Sequence, residues 1–431
     1  MDLPSMPKSE RTKPRIAIST LGCKTNFYES AVIAQSFGDI ELVDFDQNAD
    51  IYIINTCTVT NRTDYKSRNL IRKALAFKSD RPSVKVVVTG CFAQRSFEEI
   101  CALGAVDLVV DNQNKLDIAD ILAGKENHFT DIMDATDFAY KPVDSMLGHT
   151  RAFQKIQDGC DFYCAYCAVP YARGHSRSAR FPDVIEQAKL FAANGFKEIV
   201  LGGVNLGLYK CGDKDLADVV TGIAEIQDIE LIRISSIEPQ LLSTGLLQNL
   251  KAVEKLCPHF HIPLQSGSDS ILKNMGRHYN TLLIKELVDS IISYYPDSAI
   301  GFDVICGFPA ESDELFDETY QFLQSLPIAY LHVFPYSKRK DTKAEKMPGH
   351  LPNIIKSRRV KALTELSNSK RLAYITRLRD NGTVCRGINE STSSKYAEIL
   401  SDHYIRLRIP GTYPQGTLVN CNIRDCEVQA N

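Results

Sequence analysis

Cys160, Cys164 and Cys167, in the segment GCDFYCAYCAVP, are the residues of this chain best spaced to do chemistry. Three thiolates on one loop can hold three irons of a [4Fe–4S] cluster and leave the fourth iron open. Zinc would need a fourth ligand close by, and His175 is the one candidate that follows. Three incidental buried cysteines are the alternative, which the clustering argues against. A second set, Cys23, Cys57 and Cys91, recurs at intervals of 34 residues. Each cysteine follows a predicted strand: RIAIST precedes Cys23, IYIIN precedes Cys57 and VKVVVT precedes Cys91. In a doubly wound sheet the carboxyl ends of the strands meet at one edge, so cysteines distant in sequence converge there. That predicts a second three-thiolate site, with three small core residues as the competing reading.

The composition narrows what surrounds these sites. The chain has 431 residues and thirteen cysteines, an odd count in a long chain, which favours ligation over a disulfide framework. Hydrophobic residues make up 44% and charged residues 24%, as in an ordinary globular protein. A net charge of −3 excludes a protein that holds nucleic acid by bulk charge alone. No apolar run approaches the roughly 20 residues of a membrane helix, and Met1–Pro14 lacks the apolar core of a signal peptide. The expectation is a cytoplasmic chain with no membrane partner. Charge is uneven: residues 351–431 carry 13 basic against 7 acidic residues. A basic module on an acidic body suits an anionic partner, or is simply a solvated surface.

The elements that must position the cysteines read as α/β. Strands are predicted at Arg15–Thr20, Ile51–Asn55, Val84–Thr89 and Val106–Val110, with helices at Glu29–Phe37 and Tyr65–Phe77. Continuous Ile/Val runs suit a parallel sheet covered on both faces. Residues 129–150 lack a period and read as a linker. Strand candidates then recur at Glu198–Leu201, Leu231–Ser235, Phe260–Ile262, Ala299–Val304 and Tyr330–Phe334, with helices between. That alternation predicts a barrel or partial barrel, with its chemistry at the carboxyl ends of the strands. Ile354–Arg379 reads as a charged helix, followed by short alternating segments that predict a small all-β barrel.

The spacing of Cys160, Cys164 and Cys167, with Tyr166 before the third, resembles the radical S-adenosylmethionine superfamily. LGCKTNFYES, NTCTVTNRTDYKSR and TGCFAQ resemble the signature segments of the methylthiotransferase N-terminal domain. RISSIEP, HIPLQSGSDSILKNMGRHY, DVICGFPAES and LHVFPYSKRKDTKAEKMPGHLP resemble that family's radical domain, and the final segment is similar to a TRAM domain, a small RNA-binding β-barrel. The resemblance runs from about Arg15 to the C-terminus. It implies a doubly wound domain over 13–128, a linker over 129–150, a partial (βα) barrel over 151–370 and a TRAM-like barrel over 371–431. LGCK and NTCTVT are most similar to the branch that methylthiolates N6-threonylcarbamoyladenosine beside the tRNA anticodon, at position 37. Sister branches act on N6-isopentenyladenosine of tRNA or on a ribosomal-protein aspartate. Thr25 and FPAES depart from the family's commoner Val and FPGET.

The resemblance implies two [4Fe–4S] clusters. Cys160, Cys164 and Cys167 would hold the one that cleaves S-adenosylmethionine, and Cys23, Cys57 and Cys91 an auxiliary one that handles sulfur. Two S-adenosylmethionine molecules per turnover, a flavodoxin- or ferredoxin-type electron donor and an unidentified sulfur donor go with it. The chain is expected to act as a monomer. Tyr166, Gly202, Gly203, Ser235, Glu238, Gln265 and Ser266 lie at predicted strand ends or in the cysteine loop and are the cofactor candidates; an ordinary strand-end turn is the alternative for the two glycines. Lys338, Arg339 and Lys340 form a basic cluster, and Arg406 and Arg408 alternate on a strand so that both face one side, with Tyr396 and Tyr404 near to stack on bases. These are the RNA-binding candidates. His259 and His261 are read as facing opposite sides of their strand and unable to share a metal. A non-catalytic iron–sulfur RNA-binding or sensor protein is the rival of another class; it would need no cofactor pocket.

Overall fold

A computed structural model of the chain describes residues 13–429. The first body is a parallel sheet in the order β2-β1-β3-β4-β5, built from β1 (Arg15–Thr20), β2 (Glu41–Leu42), β3 (Ile51–Thr56), β4 (Lys85–Gly90) and β5 (Leu108–Val109). Helices α1 (Lys24–Ser36), α2 (Asn61–Asp80), α3 (Cys91–Arg95), α4 (Phe97–Cys101) and α5 (Ile118–Leu122) connect the strands. Tyr52, Ile54, Val86 and Val88 pack against Ile71 and Ala74 of α2, whereas Ile16, Ile53 and Val87 pack with Ile33 of α1 and Ile118. Both faces of the central strands β3 and β4 are buried, which is why they read as unbroken apolar runs, whereas the edge strand β2 is exposed. The order places a switch point between β1 and β3, where crevices form at the carboxyl edge.

The second body has six parallel strands. β6 (Ala152–Lys155) pairs with β9 (Glu198–Gly202), which pairs with β10 (Leu231–Ile234). β11 (His259–Gln265), β12 (Ala299–Cys306) and β13 (Tyr330–Pro335) form the other half. A bridge from Ile232 to Leu256 joins the halves into a partial barrel. A ribbon of β7 (Gln157–Asp158) and β8 (Arg177–Ser178) interrupts the first crossover, which also carries α6 (Val169–Arg173). Helices α7 (Phe181–Ala193), α8 (Leu216–Ala224), α9 (Thr244–Lys251), α10 (Asp269–Asn274), α11 (Thr281–Tyr294) and α12 (Asp313–Ser325) follow. The first barrel strand escapes the sequence pattern because it carries Gln154 and Lys155. Both are buried, Gln154 donating to the Val184 carbonyl at 2.7 Å and Lys155 bound to Glu29. The segment 129–150 is irregular but packed: Val143 and Met146 are buried, and the Lys141 carbonyl accepts from the Tyr28 hydroxyl.

The 29-residue helix α13 (Asn353–Asn381) leads to five short antiparallel strands, β14 (Val384–Ile388), β15 (Tyr396–Leu400), β16 (Arg406–Pro410), β17 (Leu418–Asn422) and β18 (Glu427–Val428). Their core continues into α13 through Tyr374, Ile375 and Leu378, and into the barrel through Ala299 and Tyr330. No helix among the described residues is long and apolar enough to cross a membrane.

Two expectations are corrected here. His259 and His261 stand two apart on β11, so they share a face rather than opposing each other; their rings lie 6.5 Å apart. Tyr404 is not offered to a base: its ring stacks on His259 at 4.2 Å and on Tyr330 at 5.1 Å, against the amino-end of the barrel.

Ala310, in the FPAES segment, has a φ of +62°, its amide bonded to the Gly349 carbonyl at 2.9 Å. A left-handed alanine costs about 1–2 kcal/mol that glycine avoids, less the larger chain entropy glycine loses on folding. Ala310→Gly should therefore raise the urea midpoint, by a free energy of about 0.5–1 kcal/mol; an unchanged or lower midpoint would remove this account of the turn.

Candidate functional site

The Cys160–Cys167 loop runs from β7 to α6 and is held by backbone. The Cys160 amide donates to the Gly174 carbonyl at 3.1 Å, and the Ala165 amide to the Met275 carbonyl at 2.8 Å. Tyr163 in the loop takes a φ of +47°. Arg277 Nη1 lies 3.0 Å from Cys164 Sγ and 3.4 Å from the Tyr166 hydroxyl, while Arg277 Nη2 pairs with Glu238. Asn205 Nδ2 approaches Cys160 Sγ at 3.8 Å. Burial, and then the neighbouring Cys164 and Cys160, push the Cys167 thiol up to about 12. Without a metal the Cys167 sulfur stays a thiol near neutral pH.

The second set meets at the carboxyl edge of the first sheet. Gly22 and Gly90 immediately precede Cys23 and Cys91 with φ of +101° and +94°. A Cβ on Gly22 would stand 2.8 Å from Cys57 Sγ, and one on Gly90 would stand 2.4 Å from the Thr56 carbonyl. Both turns therefore need glycine to bring the cysteines in. Burial, and then Cys91, push the Cys57 thiol up to about 12.

Arg173, at the end of α6, bridges the two bodies. Its Nε lies 3.2 Å from Cys91 Sγ, its Nη2 2.5 Å from Asn26 Oδ1, and its Nη1 2.6 Å from Glu29 and 3.1 Å from Asp158. Lys115 and Lys155 complete the cluster: both bind Glu29, and Lys155 also binds Asp158 at 2.5 Å. All five side chains are buried. Burial raises the Glu29 carboxyl, but Arg173, Lys115 and Lys155 outweigh it and hold it well below the usual carboxylate range. With Arg177 also 4.0 Å from Asp158, the cations outnumber the two carboxylates and leave net positive charge beside the Cys91 sulfur. Sequence reasoning missed Glu29, Arg173 and Arg277, although each lies in or beside a cysteine-bearing or strand-end motif.

The cofactor candidates divide. Gly202 ends β9 and Gly203 follows it; a Cβ on Gly203 would crowd Gln157 at 3.1 Å, so that glycine serves internal packing. Gln265 takes a φ of +71° at an irregularity in β11 and makes no side-chain hydrogen bond among the described residues. Non-glycine residues in this region concentrate at functional sites. The Ser235 hydroxyl is buried without a partner. Glu238 is paired with Arg277, and Ser266 is turned into α12, 3.1 Å from the Thr319 hydroxyl. Among the RNA candidates, Lys338 and Lys340 are exposed. Arg339 is not: it is buried, bound to Asp64 at 2.6 Å and Asn61 at 2.6 Å, and ties the barrel to the first body. Arg406 and Arg408 share a face but already hold Glu390 and Glu398, and Arg408 lies over Tyr396 at 4.6 Å.

The sulfur spacing tests what these sets can hold. Among the described residues, two trios of His, Cys, Asp or Glu ligand atoms close to within 4.8 Å: His261–Asp303–His332 and Cys385–Asp402–His403. Neither cysteine set is among them. A single zinc, with bonds of about 2.3 Å to sulfur, would draw its thiolates closer than this. All-sulfur sets of three, spread wider than a single ion requires, fit iron–sulfur clusters with one open iron each.

Residues 155–323 match the Radical SAM superfamily, and residues 15–111 match the family described as Uncharacterized protein family UPF0004. The chain is 40% identical over 415 residues to the threonylcarbamoyladenosine tRNA methylthiotransferase MtaB of Aquifex aeolicus, covering 94% of this chain and 99% of that one. The chain belongs to the radical S-adenosylmethionine methylthiotransferase family. The corresponding enzyme of Bacillus subtilis is 39% identical, over 83% of this chain and 81% of that one. A tRNA-2-methylthio-N(6)-dimethylallyladenosine synthase of Endomicrobium trichonymphae is 32% identical, over 84% and 85%. The fold is similar to that of the radical S-adenosylmethionine methyltransferase TsrM of Kitasatospora setae, with a TM-score of 0.55 at 12% identity, covering 75% of each chain. Family membership makes the chain a transferase that uses S-adenosylmethionine and [4Fe–4S] clusters.

Two predictions follow from this geometry. Glu29→Ala leaves three buried cations short of a carboxylate and should cost about 3–5 kcal/mol of stability. The exposed Glu186–Lys189 pair, cut in Glu186→Ala, should cost under about 1 kcal/mol; comparable urea midpoints for the two variants would contradict the role given to Glu29. Cys164→Ala should abolish deoxyadenosine formation and lose one cluster's worth of iron, whereas Cys57→Ala should lose an equal amount of iron from the other set and keep deoxyadenosine formation. Anaerobic iron analysis with chromatography of the nucleoside product decides it.

Proposed function

We propose that this methylthiotransferase converts N6-threonylcarbamoyladenosine at tRNA position 37 to its 2-methylthio derivative. The observation that carries the reading is the relationship, along nearly the whole chain, to the threonylcarbamoyladenosine enzyme of Aquifex aeolicus, joined to two cysteine trios on either side of Arg173. Cys160, Cys164 and Cys167 would hold the cluster at which S-adenosylmethionine binds, and Cys23, Cys57 and Cys91 the auxiliary cluster. When bound, these groups supply a carbon radical and the sulfur and methyl that an unactivated C2–H position requires.

The chain's own residues do the positioning. Arg277 orients Cys164 and ties it to Glu238. Gln265, Ser235 and Gly202 stand at strand ends and would take the methionine and ribose parts of the cofactor, and Tyr166 would close the loop beside them. Arg173 donates to Cys91 and, through Asn26, fixes the turn that presents Cys23. The C-terminal strands act as a TRAM-like RNA-binding module, and Lys338 and Lys340 extend the tRNA contact. Residues 13–128, 151–370 and 371–431 are the three working domains, in a cytoplasmic monomer served by a flavodoxin- or ferredoxin-type donor.

Nucleoside mass spectrometry of tRNA from cells with and without the gene tests this. Loss of the methylthio form, with accumulation of threonylcarbamoyladenosine, is the expected result. Loss of the methylthio group from the isopentenyl nucleoside instead would keep the chemistry and reject the substrate.

A further inference from the structure

Helix α2 carries Arg62, Lys66, Arg68, Arg72, Lys73 and Lys78 against two acids, Asp64 and Asp80. Asp64 is turned inward to Arg339, and Asp80 is the last residue of the helix. At 3.6 residues per turn, Arg62, Tyr65, Lys66, Asn69, Arg72 and Lys73 fall within about a third of the circumference. All six are exposed, while Ser67, Ile71 and Ala74 bury the other side. Lys73 pairs with Asp46 and Arg68, on the flank, with Glu99; Arg62, Lys66 and Arg72 pair with no carboxylate among the described residues.

Such a face is unfavourable for the chain by itself. Arg62 stands in the first turn, at the positive end of the helix dipole. Arg62 and Lys66, like Arg68 and Arg72, are equal charges one turn apart and repel. A solvated surface mixes both signs and keeps large apolar groups few, yet Tyr65 leaves 58% and Val59 52% of its surface exposed here. An anion laid along the helix would relieve the repulsion. The place of the face fits one. Helix α2 begins four residues after Cys57, at the carboxyl edge of the first sheet. The Asn61 amide donates to Ser337 Oγ at 3.0 Å, which sets the exposed Lys338 and Lys340 beside the start of the row. The C-terminal strands lie at the opposite end of the barrel, with Arg406 and Arg408 already holding Glu390 and Glu398.

We propose that this face of α2 seats the anticodon arm of the tRNA: Arg62, Lys66 and Arg72 take backbone phosphates, and Tyr65 stacks on a base of the loop. This rests on the reading of the substrate as tRNA. From Arg62 to Arg72 the row spans about 15 Å of helix. A row of that length suits the evenly spaced charges of a nucleic-acid strand better than the local acidic patch of a protein. The aromatic ring set among the cations suits the unpaired bases of a loop. The row leads toward Cys57, so an arm lying on it brings a loop nucleotide to the end that both cysteine sets occupy.

The test uses the anaerobic, cluster-loaded full chain and an anticodon stem-loop carrying threonylcarbamoyladenosine. Binding is followed by fluorescence anisotropy across a potassium chloride series. The combined Arg62→Gln, Lys66→Gln and Arg72→Gln variant should bind roughly tenfold or more weakly at low salt. Its plot of log affinity against log salt should flatten by about 2, at ~0.7 for each single-strand phosphate contact. Tyr65→Ala should weaken binding roughly fivefold or more with the slope kept, because stacking releases no counterions, and Tyr65→Phe should restore it. Arg406→Gln with Arg408→Gln should flatten the plot less than the α2 variant does; the reverse order overturns the proposal. Iron content at the wild-type level shows that the variants are intact. An α2 variant with wild-type affinity and slope overturns the proposal. So does one that keeps RNA binding but accepts electrons from a reduced flavodoxin more slowly, which assigns the face to an acidic redox protein. A wild-type protein that does not bind the stem-loop at all removes the tRNA reading, and this proposal with it.

Discussion

Glu29 has no exposed surface, and three cations converge on it from different parts of the chain: Lys115 from the end of the first sheet, Lys155 from the first barrel strand and Arg173 from the helix after the cysteine loop. A buried carboxylate is tolerable only if its charge is met and its lone pairs are filled. Meeting that condition requires α1 to lie against β6 and the start of the cysteine loop to lie against α1. The relative placement of the two cysteine-bearing bodies follows from it. Asp158, two residues before Cys160, is held in the same cluster, so the loop that carries one cysteine set is anchored to the residues that support the other.

The same arrangement governs the chemistry. Arg173 gives both Nη nitrogens to Glu29 and its Nε to Cys91, so the cluster's residual positive charge faces the Cys91 sulfur. Arg277 plays the matching part on the other side, between Glu238 and Cys164. Each cysteine set therefore has one arginine donor aimed at a sulfur and held in place by carboxylates, Glu29 and Asp158 for Arg173 and Glu238 for Arg277. Hydrogen bonds to sulfur, and burial, are among the levers by which a protein tunes such clusters.

The C-terminal strands are not a separate appendage. Tyr404, itself at a φ of +59°, stacks on His259 and Tyr330, and the Ser401 and Asp402 carbonyls accept from the buried Arg233 of β10. The module closes the amino-end of the barrel while the cysteine sets occupy the other. Its basic residues are partly spent, Arg406 and Arg408 holding carboxylates of their own module; outside the module, Arg339 holds Asp64. The surface left for an anionic partner is smaller than the residue count implies.

The sequence by itself determined the two cysteine trios, the parallel strands that precede them and the family, because thiolate spacing and unbroken apolar runs are local patterns that survive without knowledge of the fold. It also placed Gly202, Ser235 and Gln265 at strand ends, since a strand's end is written in its own residues. It missed β6, whose Gln154 and Lys155 look exposed in one dimension and are buried by partners far along the chain. It read Arg339 and Tyr404 as surface groups, and it could not see Glu29, Arg173 or Arg277. Only the tertiary structure decided these. Whether a charged or aromatic side chain is paired, stacked or free depends on groups tens to hundreds of residues away, and no local pattern records that distance.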